Sequence, residues 1–166
     1  MGVEKVAISS AAVANPEFIE QAAKRVGSQS VVVVLDVKKT GLLRRYEVFT
    51  QNGRASTGLS AVDFVEKMEK LGAGEIVINA IDQDGLMQGY DLSLIEAIRK
   101  CTSLPITALG GAGSLTDIEG LIQKFGIIGA AAGSLFVFKG KYRAVLINYP
   151  SRSDKDALIR AGMGRS

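Results

Sequence analysis

Histidine and tryptophan are absent from this chain of 166 residues, and cysteine occurs only once. Without histidine, zinc chemistry and imidazole acid–base catalysis are disfavoured, and proton transfer falls to Asp, Glu or Lys. The lone Cys101 excludes an internal disulfide and suits a reducing compartment, which predicts a cytoplasmic protein. We expect Cys101 to pack on the apolar face of a helix rather than to act as a nucleophile. Metal-ligand spacing is also missing, so we expect neither a metal ion nor a cofactor.

Long apolar runs and basic stripes are equally scarce. No run reaches the length that crosses a bilayer, and the N-terminus lacks a basic-then-apolar signal pattern, so we expect no membrane partner. The net charge is +3, and the basic residues are scattered, with tight pairs at Lys38-Lys39 and Arg44-Arg45. With aromatic residues at 6%, the sequence offers neither the basic face nor the stacking platforms of a nucleic-acid-binding protein.

Two glycine-rich stretches, each directly behind a short apolar run, are the most informative feature. Pro105–Leu109 leads into Gly110–Ser114, and Ile127–Ala132 leads into Gly133-Ser134. Small residues at paired strand ends let backbone N–H groups converge on an anion, as they do after the last two strands of a (β/α)8 barrel. The alternative for the first stretch is a tight turn that demands positive φ. The pairing of two such stretches, separated by one helix, favours phosphate binding.

Apolar runs and helical periodicity alternate along the chain, which is typical of a parallel sheet covered by helices. The predicted strands are Val3–Ile8, Val31–Leu35, Arg45–Thr50, Glu75–Ile81, Pro105–Leu109 and Ile127–Ala132. Predicted helices begin at Asn15-Pro16 and at Ser60, and two more carry apolar residues over Leu94–Cys101 and Ile118–Phe125. The fold class is therefore α/β, an incomplete (β/α)8 TIM barrel of five parallel strand–helix units. We expect residues 1–150 to form this partial barrel domain and residues 151–166 to form a polar, weakly ordered tail.

Asp36 is the first candidate for chemistry, because barrel enzymes place working groups at the carboxyl ends of strands. It ends a continuous apolar strand, where a carboxylate is costly unless it caps a loop or works in a site. We predict that Asp36 is a general acid or base. The alternative is a loop cap beside Lys38.

The turn Asp82-Gln83-Asp84-Gly85 follows another predicted strand. Asp-Gly is an ordinary turn sequence, which favours a structural role for Asp82. The backbone of Asp84 and Gly85 is placed to complete a phosphate cup. The other predicted members of this cup come from the two glycine-rich stretches: Gly110, Gly111 and Ser134.

Six blocks of this sequence resemble, in order, the cyclase subunit of imidazole glycerol phosphate synthase. They are VEKVAISSAAVANP, GSQSVVVVLDVK, TGLSAVDFVEKMEKLGAGEIVINAIDQDG, GYDLSLIEAIRK, LPITALGGAG and AAAGSLF. Together they lie within residues 2–138 and are similar to the fourth to eighth strands of that barrel. The first three strands, with the family's other catalytic aspartate and its neighbouring lysine, have no counterpart here. The chain therefore resembles the C-terminal portion of the subunit.

The resemblance implies an enzyme that takes ammonia from a partner glutaminase and cleaves a phosphoribosyl-formimino carboxamide nucleotide. The implied products are imidazole glycerol phosphate and aminoimidazole carboxamide ribotide, in a carbon–nitrogen lyase step of histidine biosynthesis. Asp36 then matches the catalytic aspartate, and Lys5 and Glu75 match a charged gate for ammonia on the strand-start face. Ser9 and Ser10 match one site for a substrate phosphate. The residues that match the other phosphate site are Asp84, Gly85, Gly110, Gly111, Gly133 and Ser134.

Several positions depart from the family's usual residues. The family has Asn-Thr at Ser9-Ser10, Thr-Ser at Asn79-Ala80, Thr at Leu86 and Ser at Leu109. The stretch FGIIGAAAGSLFVFKGKYRAVLINYPS is similar to a divergent branch associated with amidino-type modification of amino sugars in bacterial surface glycans. Two alternatives therefore stand beside histidine biosynthesis. One is a glycan-modifying synthase subunit that also uses a glutaminase, and the other is a non-catalytic half-barrel that only docks a partner.

Five parallel strands do not close a barrel, so we expect open edges. Val31–Leu35 and Ile127–Ala132 would then meet water in the uncovered interior. Open parallel edges and large apolar patches favour pairing with another chain. We therefore expect the isolated chain to self-associate, most simply as a two-fold dimer that pairs edges.

Overall fold

Strands and helices alternate along the chain in a computed structural model that describes residues 4–42, 44–139 and 144–163. The strands are β1 (Val6–Ile8), β2 (Val31–Thr40), β3 (Arg45–Thr50), β4 (Ala55–Ser60), β5 (Glu75–Ala80), β6 (Ile106–Leu109), β7 (Gly129–Ala130), β8 (Phe138–Lys139) and β9 (Ala144–Val145). The helices are α1 (Ser10–Ala14), α2 (Glu17–Val26), α3 (Ala61–Lys70), α4 (Leu92–Cys101), α5 (Leu115–Phe125), α6 (Ser134–Val137) and α7 (Arg152–Met163). The first residue of the predicted strand Val3–Ile8 and the last three residues of the predicted tail lie outside the described residues.

Seven strands form one sheet in the order β4-β3-β2-β5-β6-β7, with β1 also paired to β2. Parallel pairing joins β1 to β2, β2 to β5, β5 to β6 and β6 to β7. β3 and β4 form an antiparallel hairpin that widens the sheet beside the end of β2. The expectation of an α/β fold, an open part of a (β/α) barrel with five parallel strands, is confirmed. No helix in the described part of the chain is long and apolar enough to cross a membrane.

The two sides of the sheet differ in burial, because side chains alternate along each strand. On one side of β2, Val31, Val33 and Leu35 are at most 1% exposed, within the core that the helices cover. Val34 points to the opposite side and is half-buried. The expectation that Val31–Leu35 would meet water is therefore wrong for every member except Val34: Val32 is buried as well, and α2 and α3 pack against this strand.

Polar residues set the starts of the covering helices. α3 begins directly after Ser60, as predicted, and the Ser60 side chain accepts a hydrogen bond from the helix backbone. α5 begins after Ser114, where Ser114 and Asp117 form a reciprocal capping box. α2 begins after Asn15-Pro16, also as predicted, but its start has no side-chain cap hydrogen bond. The Ser60 and Ser114 caps contribute about 1 kcal/mol each, so they help to define where α3 and α5 begin.

β2 is longer than the sequence predicts, with ten residues rather than five. Its first residues pair with β1 and its last residues with β3. These partners share one edge of β2, because β5 occupies the other edge over residues 32–37. β4 lies where no strand is predicted, since its sequence ASTGLS has little apolar character. Asp36 therefore lies inside a strand rather than at its end, which corrects the prediction.

The end of the chain differs most from the prediction. The expected strand Ile127–Ala132 is reduced to the two residues of β7, and Ile127 is 87% exposed. Most of the expected weakly ordered tail is helical instead, because α7 packs against α5. Gly162 of α7 lies so close to Ile122 of α5 that a Cβ would overlap it. The sequence pattern does not predict α7, because this helix has few apolar residues. The domain boundary at residue 150 stays a prediction.

Candidate functional site

The carboxyl ends of the five parallel strands meet at one edge of the sheet, which we call the site edge. The loops that leave this edge carry all the predicted phosphate residues: Ser9, Ser10, Asp84, Gly85, Gly110, Gly111, Gly133 and Ser134. The two glycine-rich stretches follow neighbouring strands, β6 and β7. Ser9 and Ser10 follow β1, on the far side of β2 and β5, and both are exposed. The residues predicted for one phosphate cup therefore lie after β5, β6 and β7, which are neighbours in the sheet, and the two serines lie beyond β2.

Asp36 and Asn79 lie side by side near the site edge. They are register partners on β2 and β5, and Leu109 of β6 is the next partner of Asn79. Asn79 Nδ2 donates a hydrogen bond to Asp36 Oδ1 at 2.9 Å. Asn79 Oδ1 is buried and has no hydrogen-bond partner among the described residues. The pair therefore holds a carboxylate in a fixed orientation and leaves one acceptor that a donor could satisfy.

The loop between β5 and α4 folds back on itself at Asp84 and Gly85. The Asp84 N–H donates to Ala80 O at 3.0 Å, so this donor is already used within the loop. Gly85 has a φ of 76°, in the left-handed region that suits glycine. Asp82 Oδ2 accepts a hydrogen bond from the Lys39 N–H at 2.9 Å. Asp82 thus fixes the neighbouring strand. The N–H of Asp84 is not available to a phosphate, and its exposed carboxylate would repel one.

Close packing against this loop requires glycine in the first glycine-rich stretch. Gly110 and Gly111 have φ values of 91° and 100°. A Cβ at Gly110 would lie 2.6 Å from Ala80 O, and one at Gly111 would overlap Gly89 O. The tight turn with positive φ, which the sequence offers as the alternative for this stretch, is therefore present. It leaves the Gly110 and Gly111 N–H groups without a hydrogen bond to any described residue, so the turn and an anion site are compatible.

A carboxylate already occupies the N-terminus of α5. Asp117 Oδ2 accepts hydrogen bonds from the N–H groups of Gly113 at 2.9 Å and Ser114 at 2.8 Å. The N–H groups left for a bound phosphate are therefore those of Gly110 and Gly111 and those of the loop after β7. In that loop the N–H groups of Gly133 and Ser134 make no hydrogen bond within the described ranges.

Lys5 and Glu75 form an ion pair at the opposite edge, where the strands begin. Lys5 Nζ lies 2.5 Å from Glu75 Oε2, and Thr107 Oγ1 donates to Glu75 Oε1 at 2.8 Å. Burial by itself raises the pKa of Glu75, but the hydrogen bonds from Lys5 and Thr107 outweigh it and lower the pKa below its ordinary value. Glu75 therefore stays ionised, and it shares one side of β5 with Asn79.

Tyr90 is a residue that the sequence does not single out, because a lone tyrosine in a polar loop carries no pattern. Its side chain is 8% exposed, and its hydroxyl donates to Ala131 O at 3.0 Å. Burial, with a smaller effect from the Asp117 carboxylate, raises the pKa of Tyr90 to about 12. The hydroxyl therefore remains a hydrogen-bond donor throughout the physiological pH range.

Asp91 is the centre of a second cluster that sequence reasoning missed. It caps α4 by accepting a hydrogen bond from the Leu94 N–H at 3.0 Å. It also binds Lys39 Nζ at 2.9 Å and the Tyr46 hydroxyl at 3.1 Å. Burial raises the pKa of Asp91, but the hydrogen bond from Lys39 helps to bring it below its ordinary value. The position of Asp91 before an apolar helix is the signal that could have identified the cap.

Cys101 lies at the end of α4, half-buried against the core. Its thiol donates to Ile98 O at 3.2 Å. Burial raises the pKa of the Cys101 thiol, which keeps it protonated and unreactive. This environment supports the packing role expected from the sequence.

The chain matches a family model described as "Histidine biosynthesis protein" over residues 1–143. It is similar to proteins of Leptospira interrogans and Leptospira borgpetersenii named "Putative imidazole glycerol phosphate synthase subunit HisF". Each is 55% identical over 158 residues, which cover 95% of this chain and 62% of the relative. A Vibrio vulnificus protein with the same name ending in hisF3 is 53% identical over 155 residues, 93% of this chain and 60% of the relative. The chain thus spans 60–62% of the length of these relatives.

Proposed function

Because the chain belongs to the histidine biosynthesis protein family, we propose that it forms the ammonia-using part of an imidazole glycerol phosphate synthase subunit of the cyclase type. One observation carries the proposal: the Asp36–Asn79 pair lies at the same sheet edge as the loops after β6 and β7. An oriented carboxylate can exchange protons, and two loops of small residues can hold a phosphate. These groups fit a phosphorylated small molecule as substrate.

The proposed substrate is the phosphoribosyl-formimino carboxamide nucleotide. Ammonia cleaves it to imidazole glycerol phosphate and aminoimidazole carboxamide ribotide, a carbon–nitrogen lyase reaction. Asp36 is the proposed general acid–base group as ammonia adds and the imidazole ring closes. The proposed cup for one phosphate consists of Gly110, Gly111, Gly133 and Ser134, with Gly85 at its rim; the Asp84 N–H, already bonded to Ala80 O, is not a donor to it. Ser9 and Ser10, beyond β2, serve the other phosphate.

A glutaminase is the proposed partner, and its docking surface is the strand-start face. Lys5 and Glu75 lie there as a charged entrance for ammonia. Glu75 and Asn79 point to the same side of β5, with Val77 between them. Glu75, Val77 and Asn79 thus line one side of β5, from the proposed entrance to the position beside Asp36. A biosynthetic reaction of this kind, with one half-buried thiol, fits the cytoplasm as the compartment.

The second candidate is the non-catalytic half-barrel that only docks a partner, and the names of the relatives, which are those of synthase subunits, do not favour it. The names of the relatives give no support to the glycan-modifying alternative.

The test is ammonia-dependent turnover of the carboxamide nucleotide by the 166-residue chain, with ammonium salt and then with a glutaminase and glutamine. The proposal expects turnover that requires ammonia and that Asp36→Asn abolishes. Phosphate binding without turnover would favour the half-barrel. If the chain shows neither phosphate binding nor turnover, the proposal is contradicted.

A further inference from the structure

Three consecutive residues, Gly89, Tyr90 and Asp91, each bond to a different part of the site edge, and we call them the loop hub. The Gly89 N–H donates to Gly111 O at 2.8 Å, which ties the hub to the loop after β6. The Tyr90 hydroxyl donates to Ala131 O at 3.0 Å, which ties it to the loop after β7. Asp91 bonds to the far ends of β2 and β3, as described above. One short segment thus joins both halves of the proposed cup to the strand that carries the carboxylate.

We infer that Tyr90 is a positioning residue for the phosphate cup, because its hydroxyl fixes the loop after β7 relative to the loop after β6. The inference deepens the proposed function and rests on it. Nothing in the geometry places Tyr90 in contact with the phosphate itself. Its effect would act through the backbone of the residues that follow Ala131.

Ala131 is held from two directions. Its N–H donates to Ala108 O on β6 at 2.8 Å, and its carbonyl accepts from Tyr90. The two bonds fix the peptide groups on both sides of Ala131. Two residues later the chain reaches Gly133 and Ser134, whose N–H groups are the proposed phosphate donors. Ordering of those donors before the anion arrives reduces the entropy that binding costs.

Strand pairing restrains the chain around β7 only weakly, which makes the Tyr90 contact important for Ala131. β7 pairs with β6 over only two residues, and no other strand pairs with it among the described residues. The α6 helix that follows has four residues. Tyr90, in contrast, is 8% exposed and sits between the Gly89 bond and the Asp91 helix cap. Tyr90 is therefore a well-held donor that fixes Ala131, while Leu135 and Phe136 hold the far end of the segment by packing against the core.

The experiment titrates inorganic phosphate into the ¹⁵N-labelled full chain and follows the amide signals of Gly111, Gly133 and Ser134. Tyr90→Phe keeps the ring and removes only the hydroxyl. We expect its phosphate Kd to rise about tenfold, because an unpaired carbonyl and a freer loop replace one hydrogen bond. The amide signals of 132–134 should also move before phosphate is added.

Tyr46→Phe is the matched control, since it also removes a part-buried hydroxyl bonded to the hub, and that hydroxyl bonds to Asp91 rather than to either cup loop. Its phosphate Kd should stay within about twofold of wild type, although its free energy of unfolding falls by about as much as that of Tyr90→Phe. Tyr90→Met, which fills the ring site with a flexible apolar chain, provides a second hydroxyl-free variant should Tyr90→Phe fail to fold.

The outcomes separate the inference from the proposed function. If phosphate shifts none of the three amide signals in wild type, the cup is overturned, and the inference with it. Normal binding by wild type with an equal Kd in Tyr90→Phe would overturn the role of Tyr90 and leave the cup intact. Weakened binding in Tyr46→Phe and Tyr90→Phe alike would show a general loss of stability and would also overturn it.

Discussion

Asn79 donates its side-chain amide to Asp36 across two neighbouring strands, with 2.9 Å between Nδ2 and Oδ1. An amide donates only through its nitrogen, so the carboxylate decides which way the amide faces. The Asn79 oxygen then turns to a buried place with no partner among the described residues. The hydrogen bond that orients Asp36 therefore leaves the Asn79 oxygen unsatisfied. Substitution of Asp36 and substitution of Asn79 should have different effects.

Replacement of Asp36 by Asn should remove most turnover and leave the fold intact. A general acid–base group contributes ~10²–10⁴-fold to a rate, and the amide cannot take up or release the proton. The measurement is kcat for the ammonia-dependent reaction, with circular dichroism as the check on folding. Asp156→Asn is the matched control, because Asp156 is an exposed carboxylate on α7. Near-normal turnover in Asp36→Asn would reduce Asp36 to a structural residue.

Replacement of Asn79 by Asp should destabilise the protein at neutral pH. Two carboxylates would then face each other at hydrogen-bond distance, and the donor to Asp36 would be lost. We expect a loss of about 1–3 kcal/mol in the free energy of unfolding at pH 7. Protonation of the pair at low pH relieves the repulsion, so the deficit relative to wild type should shrink as pH falls. Urea unfolding at pH 7 and at acid pH would measure it, and a deficit independent of pH would exclude charge repulsion as the cause.

Replacement of Gly111 by Val should weaken phosphate binding and stability together. The new Cβ would overlap Gly89 O, and a β-branched residue is strained at a φ of 100°. The expected loss of stability is about 3 kcal/mol. Gly120→Ala in α5 is the control, because no atom lies within 4 Å of its added Cβ. That helix position should gain about 0.5–1 kcal/mol and keep phosphate affinity. A Gly111→Val protein with normal stability would contradict the close approach of the two loops.

The Glu75 ion pair should make stability depend on pH in a defined window. The pKa of Glu75 is lowered from 4.5 on folding, so its contribution is complete well above pH 4.5 and is lost as pH falls through the lower folded value. We expect Glu75→Gln to be less stable than wild type at pH 7, with the difference vanishing in acid. Lys5→Met should reproduce part of the loss. A difference that stays constant from neutral to acid pH would rule out this linkage.

The isolated chain should still self-associate at micromolar concentration. β7 leaves an open sheet edge, and the adjoining Ile127 is 87% exposed. Light scattering should detect a dimer or larger species, and Ile127→Lys should shift the population toward monomer without loss of stability. A stable wild-type monomer that unfolds cooperatively would contradict the prediction.

The sequence predicts the elements that depend on short-range patterns. The start of α3 after Ser60 follows from local capping chemistry, and the start of α2 follows from the fixed φ of Pro16; both are found. β4 and α7 are not predicted, because each gains its stability from contacts with distant residues rather than from its own apolar pattern. The same limit applies to the length of β2, whose second half is held by β3.

The candidate site shows the same division. Residue type and position after a strand identify Asp36 and the glycine pair Gly110-Gly111. The partner of Asp36 is visible only once β2 and β5 are in register. The role of Tyr90 depends on a hydrogen bond across 41 positions of sequence, which no local pattern encodes.

The unequal support of β2 and β7 has a consequence for the order in which the protein opens. β5 covers one edge of β2, and β1 and β3 share the other, whereas β7 is held by two residues of one neighbour. We expect amide protons near Asp36 to exchange with solvent only when the whole sheet unfolds, and those near Ser134 to exchange through local opening. A phosphate that joins the loops after β6 and β7 would slow this local opening first. Substrate binding would therefore stabilise the least stable part of the sheet. Slower exchange of the amide protons near Ser134 would report that binding.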